Sequence, residues 1–262
     1  MLLQSQTAVE NKQKSWSVER QLHVASEKIL YWLGCSVVGL FARSMLELDV
    51  SWRSPLPSGS KIIAANHPTT LDPFLILTLA PTQTSVLVTG GAFQVPVFGH
   101  YLQRAGHVPV IRGHGRAAFE KARQLLEAGR TIGIFPEGAL SPLEGGVHEP
   151  RTGAARLSLS TGAPVIPVGI HLQRECVRSF GVQLDGEPVV GRFYLRGPYA
   201  MTVGEPLHFK GEVQDRECVR SVSECIMQRI VSLSQESARR IEASQALAAV
   251  TKTSALELAN AG

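Results

Sequence analysis

Several absences narrow the 262-residue chain before any motif is read. Its four cysteines stand at 35, 176, 218 and 225, with no CxxC pair and no zinc-module spacing. They read as reduced thiols packed in the fold, Cys218 and Cys225 sharing one face of a helix. No apolar run reaches the roughly 20 residues that a membrane-spanning helix needs. The first residues, MLLQSQTAVENKQKSW, lack a basic stretch followed by an apolar one, so no secretory signal is expected. The 24 glycines follow no G-X-Y period, and nothing repeats at a solenoid spacing. Charged residues make up only 18%, with Lys+Arg at 26 against Asp+Glu at 22, a formal +4. That surplus suits anionic lipid or phosphate and does not argue for nucleic acid. Hydrophobic residues at 44% exclude wholesale disorder.

What is present is an alternation of short apolar runs and helix-like segments. Residues 1–20 are polar and expected to be loosely ordered. Residues 22–48 read as helical, with a break at Gly34 or Gly39. The most apolar part, Ile29 to Ala42, is flanked by Lys28 and Arg43 and carries Tyr31 and Trp32 near one end. It suits a buried helix, a re-entrant segment or a helix lying in a membrane interface. Pro/Gly/Ser punctuation at 53–60 precedes five Val/Ile-rich runs of strand length: 61–66, 85–89, 107–111, 131–135 and 164–170. Helices are expected at 73–79, at 116–128 with a stop at Gly129, and at 152–161 with a stop at Gly162. Residues 191–207 read as two further strands joined around Gly197 and Pro198. Val219, Val222, Ile226, Ile230 and Leu233 step by threes and fours and mark an amphipathic helix, with a helix end or flexible tail over 241–262. The alternation predicts an α/β fold with a mostly parallel central sheet flanked by helices.

Three loops hold residue types that can do chemistry. Asn66-His67-Pro68-Thr69-Thr70-Leu71-Asp72-Pro73 follows a predicted strand. His67 and Asp72 can pair only across a turn, and Asp72 before Pro73 suits a helix N-cap. An Asp that holds an imidazole makes it a better-oriented general base. The plain alternative is a capping Asp beside an unrelated loop histidine. Phe135-Pro136-Glu137-Gly138-Ala139-Leu140-Ser141 places a carboxylate and a glycine at the C-terminal end of another strand, where open α/β sheets bind ligands. An ordinary loop with a solvated Glu137 fits the same residues. Pro96-Val97-Phe98-Gly99, followed by Gly106 and Arg112, brings an arginine to the end of a third strand. Arg112 could grip a phosphate or simply face solvent.

In order and spacing these motifs resemble the lysophosphatidate acyltransferase family, the glycerolipid acyltransferases with an NH-x4-D signature. The resemblance covers roughly Lys61 to Leu207. Asn66, His67 and Asp72 match the first motif. Phe98, Gly99, Gly106 and Arg112 match the second, Phe135 to Gly138 the third, and Val165 to Gly169 the fourth. Arg151-Thr152-Gly153-Ala154-Ala155 and Val203 to Leu207 fit further family segments. Two cations associated with the acceptor's glycerol phosphate are absent: Thr89 lies where a lysine is usual, and Leu140 where an arginine is usual.

The resemblance implies O-acyl transfer from acyl-CoA or acyl carrier protein to a lysolipid hydroxyl, with no other cofactor and no metal. His67 would be the general base and Asp72 its orienting partner. Asn66, Arg112, Glu137, Gly138 and Arg151 would bind substrate, and backbone N–H groups near Gly138 would line an oxyanion or acceptor site. Residues 1–50 would form a helical membrane-associating segment, 51–240 the acyltransferase domain and 241–262 the C-terminal helix end or tail. The expected place is the cytoplasmic side of a membrane, peripheral or monotopic, with a lipid surface, the thioester donor and a lysolipid as partners and no nucleic acid. A thioesterase or lipid hydrolase on the same His/Asp pair, a metal hydrolase, and a non-catalytic lipid-binding member are the rival readings.

Overall fold

The computed structural model describes residues 26–184 and 187–260. Helix α1 covers 26–45 and leads without a loop into strand β1, Leu46–Trp52. There follow β2 (Lys61–Ala65), α2 (Asp72–Leu75), β3 (Thr84–Thr89), α3 (Phe98–Arg104), β4 (Val108–Val110), α4 (Gly115–Glu127) and β5 (Thr131–Ile134). The chain continues through α5 (Gly153–Thr161), β6 (Val165–Leu172), β7 (Val177–Leu184), β8 (Glu187–Tyr194), β9 (Gly197–Val203) and α6 (Arg216–Asn260). Seven strands form one sheet in the order β1-β9-β6-β2-β5-β3-β4, and β7 pairs only with β8. Every neighbouring pair in the large sheet is parallel except β6 with β9.

The central strands are legible because both of their faces are covered. All of β2 and β5 is buried, so each reads as an unbroken run without polar alternation. Alternate residues of β2 serve opposite layers. Ile63 and Ala65 join a core with α1, α2 and the start of α3, whereas Ile62 and Ala64 join a second core with α4, α5 and α6. The outer strands are edge-like: β4 carries Pro109, and β1 alternates Leu46, Leu48 and Val50 with exposed Glu47 and Asp49.

The expected helix over 22–48 therefore ends at 45, because that alternation takes Leu46 to Trp52 into parallel pairing with β9. The helix also runs unbroken through Gly34 and Gly39. Gly34 is needed for close approach, since a Cβ there would collide with the Tyr101 hydroxyl of α3. The two strands expected in 191–207 exist, but the break falls at Leu195 and Arg196, and Gly197 and Pro198 open β9. They also part company, β8 entering the hairpin and β9 the large sheet. Strand β7 and helix α3 carry no strong apolar period and were not expected. The stops at Gly129 and Gly162 are present, with φ of +83° and +70°. Helix α6 starts with the Asp215 carboxylate accepting the Glu217 and Cys218 N–H groups and continues to Asn260; of its side chains described up to 251, Ile241 is the last large buried one. All four cysteines are free. The expectation for residues 1–20 lies outside the described residues.

Candidate active site

The C-terminal ends of β2 and β5 are adjacent, and the loops that leave them meet. Asn66 is the hinge of the first loop. Its side-chain amide donates to the Ile170 carbonyl at 2.9 Å and accepts the Ile170 N–H at 2.7 Å, continuing the β2–β6 ladder with a side chain. The main chain is thereby freed to turn at His67 and Pro68.

Asp72 is completely buried and gathers every group around it. Its Oδ2 accepts the Thr69 N–H at 2.7 Å and faces His67 Nδ1 at 3.0 Å. Its Oδ1 accepts the Thr69 hydroxyl at 2.6 Å and the Tyr199 hydroxyl at 2.9 Å. The expected N-cap is not made: Asp72 is the first residue of α2, Leu71 is the cap position, and the carboxylate points back into the turn. An acceptor-only carboxylate requires Nδ1 of His67 to carry the proton, which leaves the Nε2 lone pair available. The imidazole is further fixed by stacking on Phe135, with ring centroids 4.1 Å apart and planes inclined by 21°. Burial, then the adjacent Asp72 carboxylate, drives the Tyr199 phenol well above its usual pKa, so it remains a neutral donor.

Glu137 locks the second loop to the first. Its Oε1 accepts the His67 N–H at 3.0 Å and the Ser141 hydroxyl at 2.6 Å, and its Oε2 accepts the His148 N–H at 2.9 Å. The Ser141 N–H returns to the His67 carbonyl at 2.8 Å. The structure thus takes up Asn66 and Glu137, both expected at the substrate, in holding the loops. The Gly138 N–H donates to the Phe135 carbonyl at 3.0 Å and is not available to an oxyanion. Gly138 has φ of +65°, and the Arg151 guanidinium fills the space where a Cβ would stand. Arg151 is therefore beside the third motif, exposed at the start of the segment leading into α5. Arg112 is exposed beyond β4, three strands from β2, a lateral offset of about 14 Å. It is not part of the cluster around His67.

Residues without a sequence signal complete the site. Arg192 of β8 donates through its guanidinium to the Ser141 carbonyl. Its backbone N–H reaches the Thr70 hydroxyl at 2.9 Å, and its carbonyl accepts the Thr70 N–H at 2.8 Å. The hairpin thus grips both loops. Only Thr69 could have been suspected, from its place inside the NH-x4-D turn. Among the described residues, no group of His, Cys, Asp and Glu is arranged to hold a metal ion. An apolar cavity of about 400 Å³ lined by Val147, Pro150, Met227 and Val231 lies between the 147–150 segment and α6. Its neighbour His148 connects it to Glu137, but His67 does not line it.

The comparisons with known proteins agree with this geometry. The family model "Acyltransferase" matches residues 47–171. A 1-acyl-sn-glycerol-3-phosphate acyltransferase of Cocos nucifera is 30% identical over 118 residues, which is 42% of this chain and 38% of that protein. The enzyme of the same name from Borreliella burgdorferi is 28% identical over 130 residues, 48% of this chain and 52% of that one. An uncharacterised protein of Mycobacterium leprae is 30% identical over 204 residues, 64% of this chain and 53% of its own length. The chain spans about half the length of these curated relatives, or less. The crystal structure of the 1-acyl-sn-glycerophosphate acyltransferase PlsC from Thermotoga maritima superposes with a TM-score of 0.56 over 82% of each chain, at 22% identity, a likeness of fold. Family model, relatives and motif order converge on one likeness: over residues 47–171 the chain is similar to the lysophosphatidate-acyltransferase-like acyltransferases.

Proposed function

We propose that the chain transfers a fatty acyl group from a thioester, acyl-CoA or acyl carrier protein, to the hydroxyl of a lysolipid at a membrane surface. The observation that carries this reading is the His67–Asp72 dyad: a buried carboxylate holding one imidazole nitrogen and leaving the other free. His67 Nε2 removes the hydroxyl proton as the acceptor oxygen attacks the thioester carbonyl. Asp72 stabilises the resulting imidazolium. Collapse of the tetrahedral intermediate breaks the C–S bond, and the departing thiolate takes the proton back from His67. The nucleophile belongs to the substrate, so no acyl-enzyme forms. Asn66, Glu137 and Gly138 hold the two loops in register, and Arg151, against Gly138, is the cation nearest the dyad's loops for an anionic substrate, whereas Arg112 lies too far off to share that role.

The acceptor headgroup is the open specificity question. Thr89, at the end of β3, and Leu140, in the Glu137 loop, replace the two cations associated with lysophosphatidate. A lysolipid with a different headgroup fits these residues. Attachment is peripheral or monotopic, on the side where thioester donors are found. No described helix is long and apolar enough to cross a membrane. Helix α1 instead buries one stripe, with Tyr31 and Ala42 fully enclosed, and turns Ile29, Leu33, Val37 and Leu40 outward.

The test is an acceptor panel: labelled acyl-CoA and acyl carrier protein against lysophosphatidate, other lysolipids and water. The full chain should acylate a lysolipid, and His67→Ala should lose at least about 10³-fold in rate with its circular dichroism unchanged. Release of free fatty acid with every acceptor ignored would replace this reading with a thioesterase.

A further inference from the structure

Among the described residues the β7–β8 hairpin has no partner strand beyond itself, and it lies outside the matched family segment. Its register separates two faces. Arg192 and Ser179 lie opposite each other on the face that reaches Thr70 and Ser141. Phe180, Phe193 and Val189 project from the other. Gly191, opposite Phe180, leaves room for the Phe193 ring, and the two rings stand 5.9 Å apart. Phe180 is 55% exposed and Val189 is exposed on the same face, whereas Val190, opposite Gly181, is exposed on the Arg192 face.

We propose that this hairpin is a lipid-docking element, a second one beside α1, seated on the bilayer at the mouth of the His67 site. The inference rests on the lipid-acyltransferase reading. Three observations select a lipid surface as the occupant. First, among the described residues this face exposes two large apolar side chains, Phe180 and Val189, against the roughly 20–30 residues a side of a stable protein interface. Second, they continue a belt. Strand β7 lies beside the 90–94 turn, which runs into Val95, Val97 and Phe98, all exposed. There a γ-turn, with Phe98 N–H to the Pro96 carbonyl at 2.7 Å and φ of +65° at Val97, holds that side chain 86% exposed. Helix α3, which begins at Phe98, meets the outward-facing apolar helix α1 where Tyr101 covers Gly34. Third, the hairpin is fastened to both catalytic loops, so whatever covers it borders the entrance. A protein there would crowd that entrance, whereas a bilayer would present the lysolipid to it. Segment 174–196 has Arg174, Arg178, Arg192 and Arg196 against Glu175, Asp185 and Glu187, so apolar contact rather than net charge supplies its grip.

Co-sedimentation of the full chain with phosphatidylcholine vesicles, plain or doped with phosphatidylglycerol, tests the assignment. The double variant F180S/V189S should bind about 10-fold more weakly to both vesicle types, with little dependence on salt. Its unfolding midpoint and its turnover of a dispersed short-chain lysolipid should stay at wild-type values. Wild-type vesicle binding by F180S/V189S, in an assay where L33S/V37S loses it, overturns the hairpin assignment and leaves the membrane reading intact. Failure of the unaltered chain to bind either vesicle removes both. Loss of a dimer in the variant, read by sedimentation velocity, would assign the patch to self-association and overturn the proposal.

Discussion

The two layers that sandwich the sheet solve opposite problems. Helices α4 and α5, and α6 as far as 241, expose no large hydrophobic side chain. Their outer surfaces carry charged pairs instead, such as Arg123 with Glu120 and Glu127, and Arg220 with Glu224. The opposite layer is apolar inside and out. Ile29, Leu33, Val37 and Leu40 on α1, then Val95, Val97 and Phe98, face outward from the same side of the sheet. Asp72 belongs to this second layer, since Tyr199, Leu75 and Phe135 around it are part of the α1-side core. The difference teaches that one layer is finished for water, whereas the candidate site lies on the layer whose outer surface exposes apolar side chains.

Helix α1 gives the sharpest way to break that comparison. Leu33→Ser with Val37→Ser should lower vesicle binding on the order of 10-fold or more, while the unfolding midpoint stays put because both side chains already face outward. Arg123→Ala, on the α4 surface, should leave co-sedimentation unchanged. Equal losses from both would show that the layers do not differ as described.

A smaller effect probes the core of the active layer. Tyr199→Phe removes one of the donors to Asp72, which should cost on the order of 10-fold in kcat/KM. The loss should fall on kcat with KM unchanged, as expected of a group acting through the dyad. Unchanged kcat with a lowered unfolding midpoint would make Tyr199 a packing residue only.

Stability gives an effect of another kind. His107 is buried beside Tyr101, its Nδ1 accepts the Val86 N–H at 3.2 Å, and burial lowers its pKa to about 4. Because the ordinary value is near 6.5, the unfolded chain takes up the proton first as pH falls. Stability should be full above about pH 6.5 and decline toward pH 4, by about 3 kcal/mol from this group. Denaturant midpoints of the full chain and of His107→Leu across that range would read it, the variant having the flatter profile.

Legibility in the sequence followed how local each cause was. Strands β2, β3, β5 and β6 declare themselves because they are wholly or largely buried and correspondingly rich in Val, Ile, Leu and Ala. Strand β1 was absorbed into the preceding helix because its alternation of Leu46, Leu48 and Val50 with acids follows α1 with no intervening turn. The NH-x4-D turn is local, so His67 and Asp72 stand out together in the sequence, but their spacing fits a capping Asp beside an unrelated histidine equally well, and only the resemblance pairs them. Tyr199 is 127 residues from Asp72, and nothing near either residue marks the other. Arg192 is likewise chosen by where the hairpin falls. Asn66 and Glu137 were legible as residues of the site but not in their work, because their partners, Ile170, Ser141 and His148, are fixed by tertiary pairing.

The single antiparallel pairing in the large sheet bears on when the molecule becomes competent. Since β9 runs against β6, Tyr199 near its start stands opposite Leu172, at the catalytic edge, and Val203 opposite Val168. Had β9 run the other way, its start would lie at the far edge of the sheet. During synthesis the histidine and the aspartate therefore emerge long before the residue that finishes their surroundings. A nascent chain shorter than about 200 residues holds the reacting pair without its last hydrogen bond. The pair gains its full set of hydrogen bonds only once β9 has joined the sheet, because the direction of that strand brings Tyr199 to the same edge as Asp72.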